Sequence, residues 1–206
     1  CDADATVRYD RLAPEHVYPA AIEDCLAAYR ALVADVDPAV VTIAGDSAGG
    51  GAALSTLCAL RDAGDPLPAA AYLLSPWTDL TGSGESVLTR AAADPMIDGA
   101  KIAEAGRVYA GDVSLDDPGV SPLFADLGGL PPMLIQTGMD EVLLSDSTRL
   151  AERARAAGVD VTLDIADGMW HVYPAFARLV PEATDALVRA AVFMRNRIPA
   201  PVPVAG

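Results

Sequence analysis

The sequence has few basic residues, cysteines and histidines, and these shortages exclude several functions. Lys and Arg number 14 against 29 Asp and Glu, so the formal net charge is −15. Such acidity argues against nucleic acid and against anionic membrane surfaces as partners. Hydrophobic residues make up 52% of the 206 positions, yet no apolar run approaches the ~18 residues of a membrane span. We therefore expect one globular domain over residues 1–206.

The three cysteines, Cys1, Cys25 and Cys58, are odd in number and widely spaced. They form no metal-ligand pattern and no disulfide framework, which favours a reducing cytoplasm as the location and no metal. Cys25 and Cys58 fall among Ala and Leu at helical spacing, so we expect them to pack in the core rather than to catalyse. No basic stretch followed by an apolar segment, the pattern of a signal peptide, is visible.

Apolar runs alternate with helical patterns along the chain. The pattern predicts strands over residues 3–9, 40–44, 70–74, 132–137 and 159–165. It predicts helices over residues 19–37, 48–63, 99–109, 145–157 and 181–197. This alternation is typical of an α/β fold with a mostly parallel, doubly wound sheet flanked by helices. The run 40–44 predicts a strand buried on both faces, and the proline-rich residues 199–206 predict a flexible tail.

The segment Gly45-Asp46-Ser47-Ala48-Gly49 lies between a predicted strand and a predicted helix. G-x-S-x-G in this context is the pattern of a nucleophile elbow, a sharp turn that exposes a serine hydroxyl above the sheet. We expect a Cβ atom at Gly45 or Gly49 to collide with neighbouring backbone. Ser47 is thus the predicted nucleophile. The backbone N–H of Ala48, at the start of the helix, is the predicted oxyanion donor.

A serine nucleophile of this kind needs a histidine base that follows it in the chain. The sequence contains two histidines, His16 and His171. His16 precedes Ser47, whereas His171 follows the last predicted strand and lies at the carboxyl edge of the sheet. His171 is therefore the predicted base that takes the proton from Ser47.

The acid that orients the histidine should follow the strand predicted over residues 132–137. Asp140 and Glu141 are adjacent at that point. We favour Asp140 and keep Glu141 as the alternative. Asp146, further along, is interpreted as the cap of the next helix.

Two tryptophans, Trp77 and Trp170, lie near strand ends and are candidates for a substrate pocket. Aromatic residues in such places are as often plain core residues. We therefore keep both interpretations open.

Several segments occur in the order found in one known family. They are Tyr9 to Pro19, Gly45 to Gly50, Ser75 to Leu80, Ser121 to Leu123, Leu130 to Glu141 and Gly168 to His171. Over nearly all its length the chain resembles the bacterial hormone-sensitive-lipase-like carboxylesterases, which have the α/β-hydrolase fold. The resemblance implies a serine carboxylesterase with no metal or cofactor, acting on small esters of short- to medium-chain acids. It also implies the triad Ser47, Asp140 and His171, and a homodimer formed through the last strand.

The sequence departs from the family pattern in four places, the first being Tyr9-Asp10-Arg11, which has one residue more than the usual Tyr-Arg. Gly51 stands where Asn is usual, and Asp140 is followed by Glu141-Val142 rather than Pro-Leu. The family also carries a preceding cap, further strands and a His-Gly-Gly-Gly loop that donates to the oxyanion. We therefore expect an N-terminally incomplete α/β-hydrolase, the C-terminal part of a longer polypeptide. Without the strand that separates 3–9 from 40–44 in the family, residues 40–44 would have an unpaired edge.

Other functions are compatible with the same residues. The triad also cleaves the related bonds of lactones and amides. A second interpretation is a binding protein without catalysis. It would be similar to the plant hormone receptors that keep this fold but lose the triad histidine. The presence of His171 favours an enzyme over such a receptor, and a truncated pseudoenzyme is a third reading.

Overall fold

The computed structural model describes residues 10–199. Its strands are β1 (Thr42–Asp46), β2 (Ala70–Leu74), β3 (Met133–Gly138) and β4 (Val161–Ala166). Its α-helices are α1 (Ala20–Val33), α2 (Ala48–Ala63), α3 (Ser86–Thr89), α4 (Ile102–Ala110), α5 (Leu144–Ala156) and α6 (Pro181–Arg197). Short 3₁₀ turns span Pro38–Val40, Gly99–Lys101, Pro122–Phe124 and Tyr173–Phe176.

The four strands form one parallel sheet in the order β1-β2-β3-β4. The register pairs Asp46 with Leu74, Leu74 with Gln136, and Gly138 with Ala166. Because all strands run in one direction, their carboxyl ends meet at one edge, where α/β folds place their sites. The predicted α/β class with a parallel sheet is confirmed. The strand predicted over residues 3–9 lies outside the described residues.

Helices cover both faces of the sheet, as expected for a doubly wound fold. On one face α2 and α5 bury the main core, which includes Leu54, Leu57, Leu73, Ile135 and Leu150. On the other face α6 packs on β2 and β3 through Ala190. Cys58 packs in the main core, and this burial raises the pKa of its thiol to about 11. None of the helices in residues 10–199 has the length and apolar character of a membrane span.

Strand β1 differs from its prediction in position and burial. Asp37 accepts a hydrogen bond from the Ala39 N–H (2.9 Å) and starts the 3₁₀ turn that occupies Pro38–Val40. The strand therefore begins at Thr42 and runs to the elbow. Its burial was predicted wrongly: Ala44 and Asp46 are exposed. Within residues 10–199, β1 is hydrogen-bonded to a strand on one side alone.

Candidate active site

Ser47 occupies a strained turn between β1 and α2. Its backbone has φ 52° and ψ −121°, a region that residues with a Cβ atom rarely adopt. The Ser47 N–H donates to the Leu74 carbonyl of β2 (2.9 Å). Such strain persists only where surrounding contacts impose it, and it is common at functional sites.

Close contacts around the elbow require glycine at three positions. A Cβ at Gly45 would lie 2.2 Å from the Gly49 carbonyl oxygen, as predicted. The same prediction for Gly49 is wrong, because a Cβ there would meet nothing within 4 Å. A Cβ at Gly50 would lie 2.8 Å from the Pro76 Cβ, and one at Gly51 would lie 2.1 Å from the Trp77 carbonyl oxygen. The first turn of α2 therefore packs directly on the segment that follows β2.

His171 lies in the loop after β4 and faces Ser47. Its Nε2 atom is 2.9 Å from the Ser47 Oγ, a hydrogen-bond distance at which the hydroxyl donates to a neutral imidazole. The imidazole is 3% exposed, so water competes little for this contact. The next residue, Val172, has φ 55°, which marks a sharp bend at the histidine. The structure thus brings together the predicted nucleophile and the predicted base.

Glu141, the less favoured candidate, contacts the histidine. Its Oε2 is 2.6 Å from His171 Nδ1. Its Oε1 accepts hydrogen bonds from the Gly138 N–H (2.8 Å) and the Ser75 hydroxyl (3.0 Å), and it also accepts one from the Thr137 hydroxyl. Glu141 is fully buried. One carboxylate oxygen is thus hydrogen-bonded by the end of β3 and by Ser75, and the other faces His171.

Asp140 points elsewhere, which corrects the preference for it as the partner of His171. Its carboxylate lies 3.6 Å from Arg90 Nη1, and both side chains are more than one third exposed. Its N–H donates to the Met169 carbonyl (2.9 Å). The turn after β3 directs the Asp140 side chain toward Arg90 and the Glu141 side chain toward His171. The replacement of Pro-Leu by Glu141-Val142 was the sequence signal of this difference.

Ser75, which the sequence analysis missed, joins the acid to the histidine loop. It directly follows β2, has φ 44° and is fully buried. Its hydroxyl donates to Glu141 and accepts a hydrogen bond from the Val172 N–H (3.0 Å). Its position after a strand at the carboxyl edge of the sheet was the available signal. We call residues 75–79 the β2 loop.

The β2 loop also supports the elbow. The Trp77 N–H donates to the Ser47 carbonyl oxygen (2.9 Å). This bond fixes the carbonyl of the strained residue beside Ala48, the first residue of α2. The first N–H groups of a helix have no partner within the helix and carry its positive dipole end. The Ala48 N–H therefore lies in the part of the elbow suited to bind negative charge.

The two tryptophans have different surroundings. Trp77 lines a cavity of about 360 Å³ together with Ala48, Gly49, Leu80 and Tyr109. Trp170 instead packs edge-to-face on Phe176, with ring centroids 5.7 Å apart, in an apolar cluster beside α6. The structure thus brings Trp77 next to the elbow helix, and it packs the partly buried Trp170 against a core cluster.

A larger cavity of about 590 Å³ lies away from this chemistry. It is lined by Tyr72, Leu74, Phe176, Leu179 and Leu187, beside α6. Ser47, Glu141 and His171 line neither this cavity nor the smaller one. The smaller cavity contacts the elbow through Ala48 and Gly49, and on this ground we associate it with the candidate site.

Two further carboxylates are buried at the end of the β2 loop, Asp79 within the loop and Asp146 on α5. Burial alone would raise the pKa of Asp79, but hydrogen bonds from Ser83, Thr81 and Arg149 hold it below its usual value. Burial raises the pKa of Asp146 to about 7, although backbone N–H groups of the β2 loop oppose the shift. In the described part of the chain, no three His, Cys, Asp or Glu residues are arranged to hold a metal ion.

Comparisons with known proteins agree with this geometry. The family described as having the alpha/beta hydrolase fold matches residues 5–175. An acetyl-hydrolase of Streptomyces hygroscopicus is 44% identical over 90% of this chain and 62% of its own length. An esterase of Acinetobacter venetianus is 39% identical over 88% of this chain and 61% of its own length. The chain thus spans about three fifths of the length of these relatives.

Solved structures of esterases are similar throughout the matched region. An esterase from the bacterial hormone-sensitive lipase family is 46% identical with a TM-score of 0.90, and the match covers 92% of this chain and 64% of that one. EstE5, solved after soaking with p-nitrophenyl butyrate, is 48% identical with a TM-score of 0.89 and coverages of 93% and 65%. The resemblance inferred from the sequence motifs is confirmed.

Proposed function

Because the chain belongs to the α/β hydrolase family, we propose that it forms the catalytic part of a carboxylic ester hydrolase that acts through an acyl-enzyme on Ser47. The observation that carries the proposal is the continuous set of contacts from Ser47 Oγ to His171 and from His171 to Glu141. In this proposal Ser47 is the nucleophile, His171 the base and Glu141 the orienting acid that acyl transfer requires.

Acylation follows from this geometry. His171 Nε2 takes the proton of the Ser47 hydroxyl while the serine oxygen bonds to the ester carbonyl carbon. The carbonyl oxygen becomes an oxyanion, to which the Ala48 N–H donates a hydrogen bond. The intermediate then breaks its bond to the alcohol oxygen. That oxygen receives the proton from His171, and the acyl group remains on Ser47.

Deacylation repeats the sequence with water. His171 takes a proton from water as the water oxygen attacks the acyl carbon, and then returns the proton to Ser47 as the acid leaves. Glu141 stabilises the imidazolium that forms in both half-reactions. Its other oxygen is already hydrogen-bonded on three sides, so it needs little rearrangement as charge develops on the ring.

The relatives support small acyl groups as substrates. One is named acetyl-hydrolase, and EstE5 was soaked with the butyryl ester p-nitrophenyl butyrate. The cavity of about 360 Å³ beside the elbow has an apolar wall formed by Trp77 and Leu80, which suits a short acyl chain. We therefore propose esters of short- to medium-chain acids as substrates.

Hydrolysis of p-nitrophenyl acetate and butyrate tests the proposal, in the 206-residue chain and in the same chain extended at its N-terminus to the length of its relatives, each with Ser47→Ala as the control. We expect release of p-nitrophenol that needs the added segment and falls to background in the Ser47→Ala variant. Because an ester can also be cleaved by chance surface groups, the acyl-enzyme should be detected by mass spectrometry in rapidly quenched samples. Equal rates for parent and variant, or an acyl group on another residue, would refute the mechanism.

A further inference from the structure

The β2 loop contacts each of the three residues of the candidate triad or a residue adjacent to it. Its first residue bonds to Glu141 and to the N–H beside His171, and its third residue bonds to the carbonyl of Ser47. A shift of this loop would therefore move all three groups relative to one another. A residue that holds the β2 loop in place therefore affects the geometry of the whole candidate site.

One buried carboxylate holds the far end of the β2 loop. Asp146 Oδ2 accepts hydrogen bonds from the Thr78 N–H (2.7 Å) and the Asp79 N–H (2.8 Å). The Thr78 hydroxyl lies 3.4 Å from the same oxygen. Asp146 is 1% exposed. Two backbone donors on one carboxylate oxygen form a strong, directional anchor, because hydrogen bonds to an ionised acceptor are about twice as strong as neutral ones.

The sequence suggested that Asp146 caps its own helix, and the structure shows that it does not. α5 begins at Leu144 with no side-chain hydrogen bond at its N-cap. The Asp146 carboxylate leaves the first turn of the helix and bonds to a segment 67 and 68 residues earlier in the chain. Glu141 lies in the turn just before this helix, which begins at Leu144. The same short stretch thus supplies the acid and the anchor of the loop that supports it.

From these contacts we infer that Asp146 is a positioning residue, which sets the β2 loop and through it the alignment of Ser47, His171 and Glu141. The inference rests on the proposed ester hydrolysis for its kinetic consequence. It goes beyond that proposal because it assigns a role to a residue that touches neither the substrate nor the triad.

The charges that face Asp146 make this anchor sensitive to pH. Asp79 of the β2 loop lies close and repels its negative form, whereas Arg149, one turn further along α5, attracts it. Burial is the largest influence and raises the pKa of Asp146 to about 7. The anchor is therefore charged above about pH 7 and neutral below it. Its two hydrogen bonds strengthen as the pH rises.

Kinetics of Asp146→Ala and Asp146→Asn, with Glu152→Ala as the matched control, test the inference. Glu152 is an exposed acid on the same helix. For Asp146→Ala we expect kcat to fall about 10²-fold with little change in KM, since small misplacements of catalytic groups cost that much. For Asp146→Asn we expect a loss of about fivefold at pH 8 that vanishes near pH 6, where the native carboxyl is also neutral. Glu152→Ala should match the parent.

Proton NMR of the His171 Nδ1–H bonded to Glu141 provides a readout independent of turnover. The chain contains one other histidine, His16. The measurement is therefore made in a His16→Gln background, so that the histidine signal can be assigned to His171. We expect the low-field signal in the parent and its shift or loss in Asp146→Ala. If that variant does not fold, the pH-dependent difference between Asp146→Asn and the parent decides. Unchanged kcat and an unchanged His171 signal in the folded variants would overturn the inference.

The two proposals fail in distinguishable ways. If the N-terminally extended chain does not hydrolyse esters above its Ser47→Ala background, the proposed function fails, while the His171 signal still decides the role of Asp146. If the parent is active and Asp146→Ala and Asp146→Asn behave as Glu152→Ala does, the role of Asp146 fails alone.

Discussion

The two sides of the candidate site are built differently. On the acid side, Glu141, Ser75 and His171 are buried and cross-linked by hydrogen bonds between three loops. On the nucleophile side, Asp46, Ala48 and Gly49 are exposed. The acid side therefore depends on a dense polar network, whereas the elbow depends on backbone strain and close packing of glycines. The two kinds of support should fail differently when altered.

The acid side should show the largest effect. Glu141→Gln keeps the shape of the side chain but removes the charge that stabilises the imidazolium, so we expect kcat to fall by about 10³–10⁴. Asp140→Asn removes only a partly exposed ion-pair partner, and we expect a change within about threefold. Steady-state kinetics on both variants measure the contrast. A larger loss in Asp140→Asn would reverse the assignment of the acid.

Stability of the acid side should depend on pH through Asp146. Its pKa is raised from 3.8 to about 7 in the folded chain, so the neutral form is favoured by folding. The contribution of Asp146 to the free energy of unfolding is fully present below its pKa in the unfolded chain. It is lost as the pH rises through about 7, its pKa in the folded chain. Relative to Asp146→Asn, the parent should lose roughly 3 kcal/mol of unfolding free energy between pH 5 and pH 8. Urea unfolding at several pH values measures this. A constant difference would mean that the carboxyl is not buried as described.

The nucleophile side should respond to added volume. A Cβ at Gly51 would overlap the Trp77 carbonyl oxygen, whereas one at Gly49 meets nothing within 4 Å. We expect Gly51→Ala to cost about 1–3 kcal/mol of stability, as overpacking does, and to lower kcat by displacing the Trp77 bond to Ser47. Gly49→Ala, two residues away, should be close to neutral. Thermal unfolding compares the two, and similar melting temperatures would contradict the packing described.

Removal of single hydroxyls from the acid side should have the smallest effect. Ser75→Ala deletes a donor to Glu141 and leaves the partly buried Val172 N–H without its acceptor, at a cost of about 1–3 kcal/mol. Thr137→Val deletes a donor to Glu141 alone, so its cost should be smaller. Equilibrium unfolding and kcat on both variants provide the comparison. An equal or larger effect of Thr137→Val would show that Ser75 does not support the histidine loop.

The sequence predicted the parts of the fold and site that follow from local pattern. Strand β2 and helices α2 and α6 were predicted at their observed bounds, because unbroken apolar or periodic runs define them. The elbow at Ser47 was recognisable because its glycines and flanking elements are contiguous in the chain. His171 was identified by its order in the chain and by its position after a strand.

What the sequence could not predict depends on distances between separate loops. The choice between Glu141 and Asp140 depends on which of the two side chains the turn after β3 directs toward His171, and residue type alone does not set that direction. Ser75 and Asp146 bond across 66 to 97 residues of chain, so local pattern says nothing of their partners. The exposure of β1 likewise depends on what lies beside it, not on its own apolar residues.

Covalent labelling of Ser47 by a fluorophosphonate, followed by peptide mapping, tests the central claim most directly. The reagent reacts with a serine only when a base activates it. We predict rapid labelling of the Ser47 peptide in the parent and in Asp140→Asn, and slow labelling in Glu141→Gln. Labelling at another residue, or fast labelling in Glu141→Gln together with slow labelling in Asp140→Asn, would contradict the triad of Ser47, His171 and Glu141.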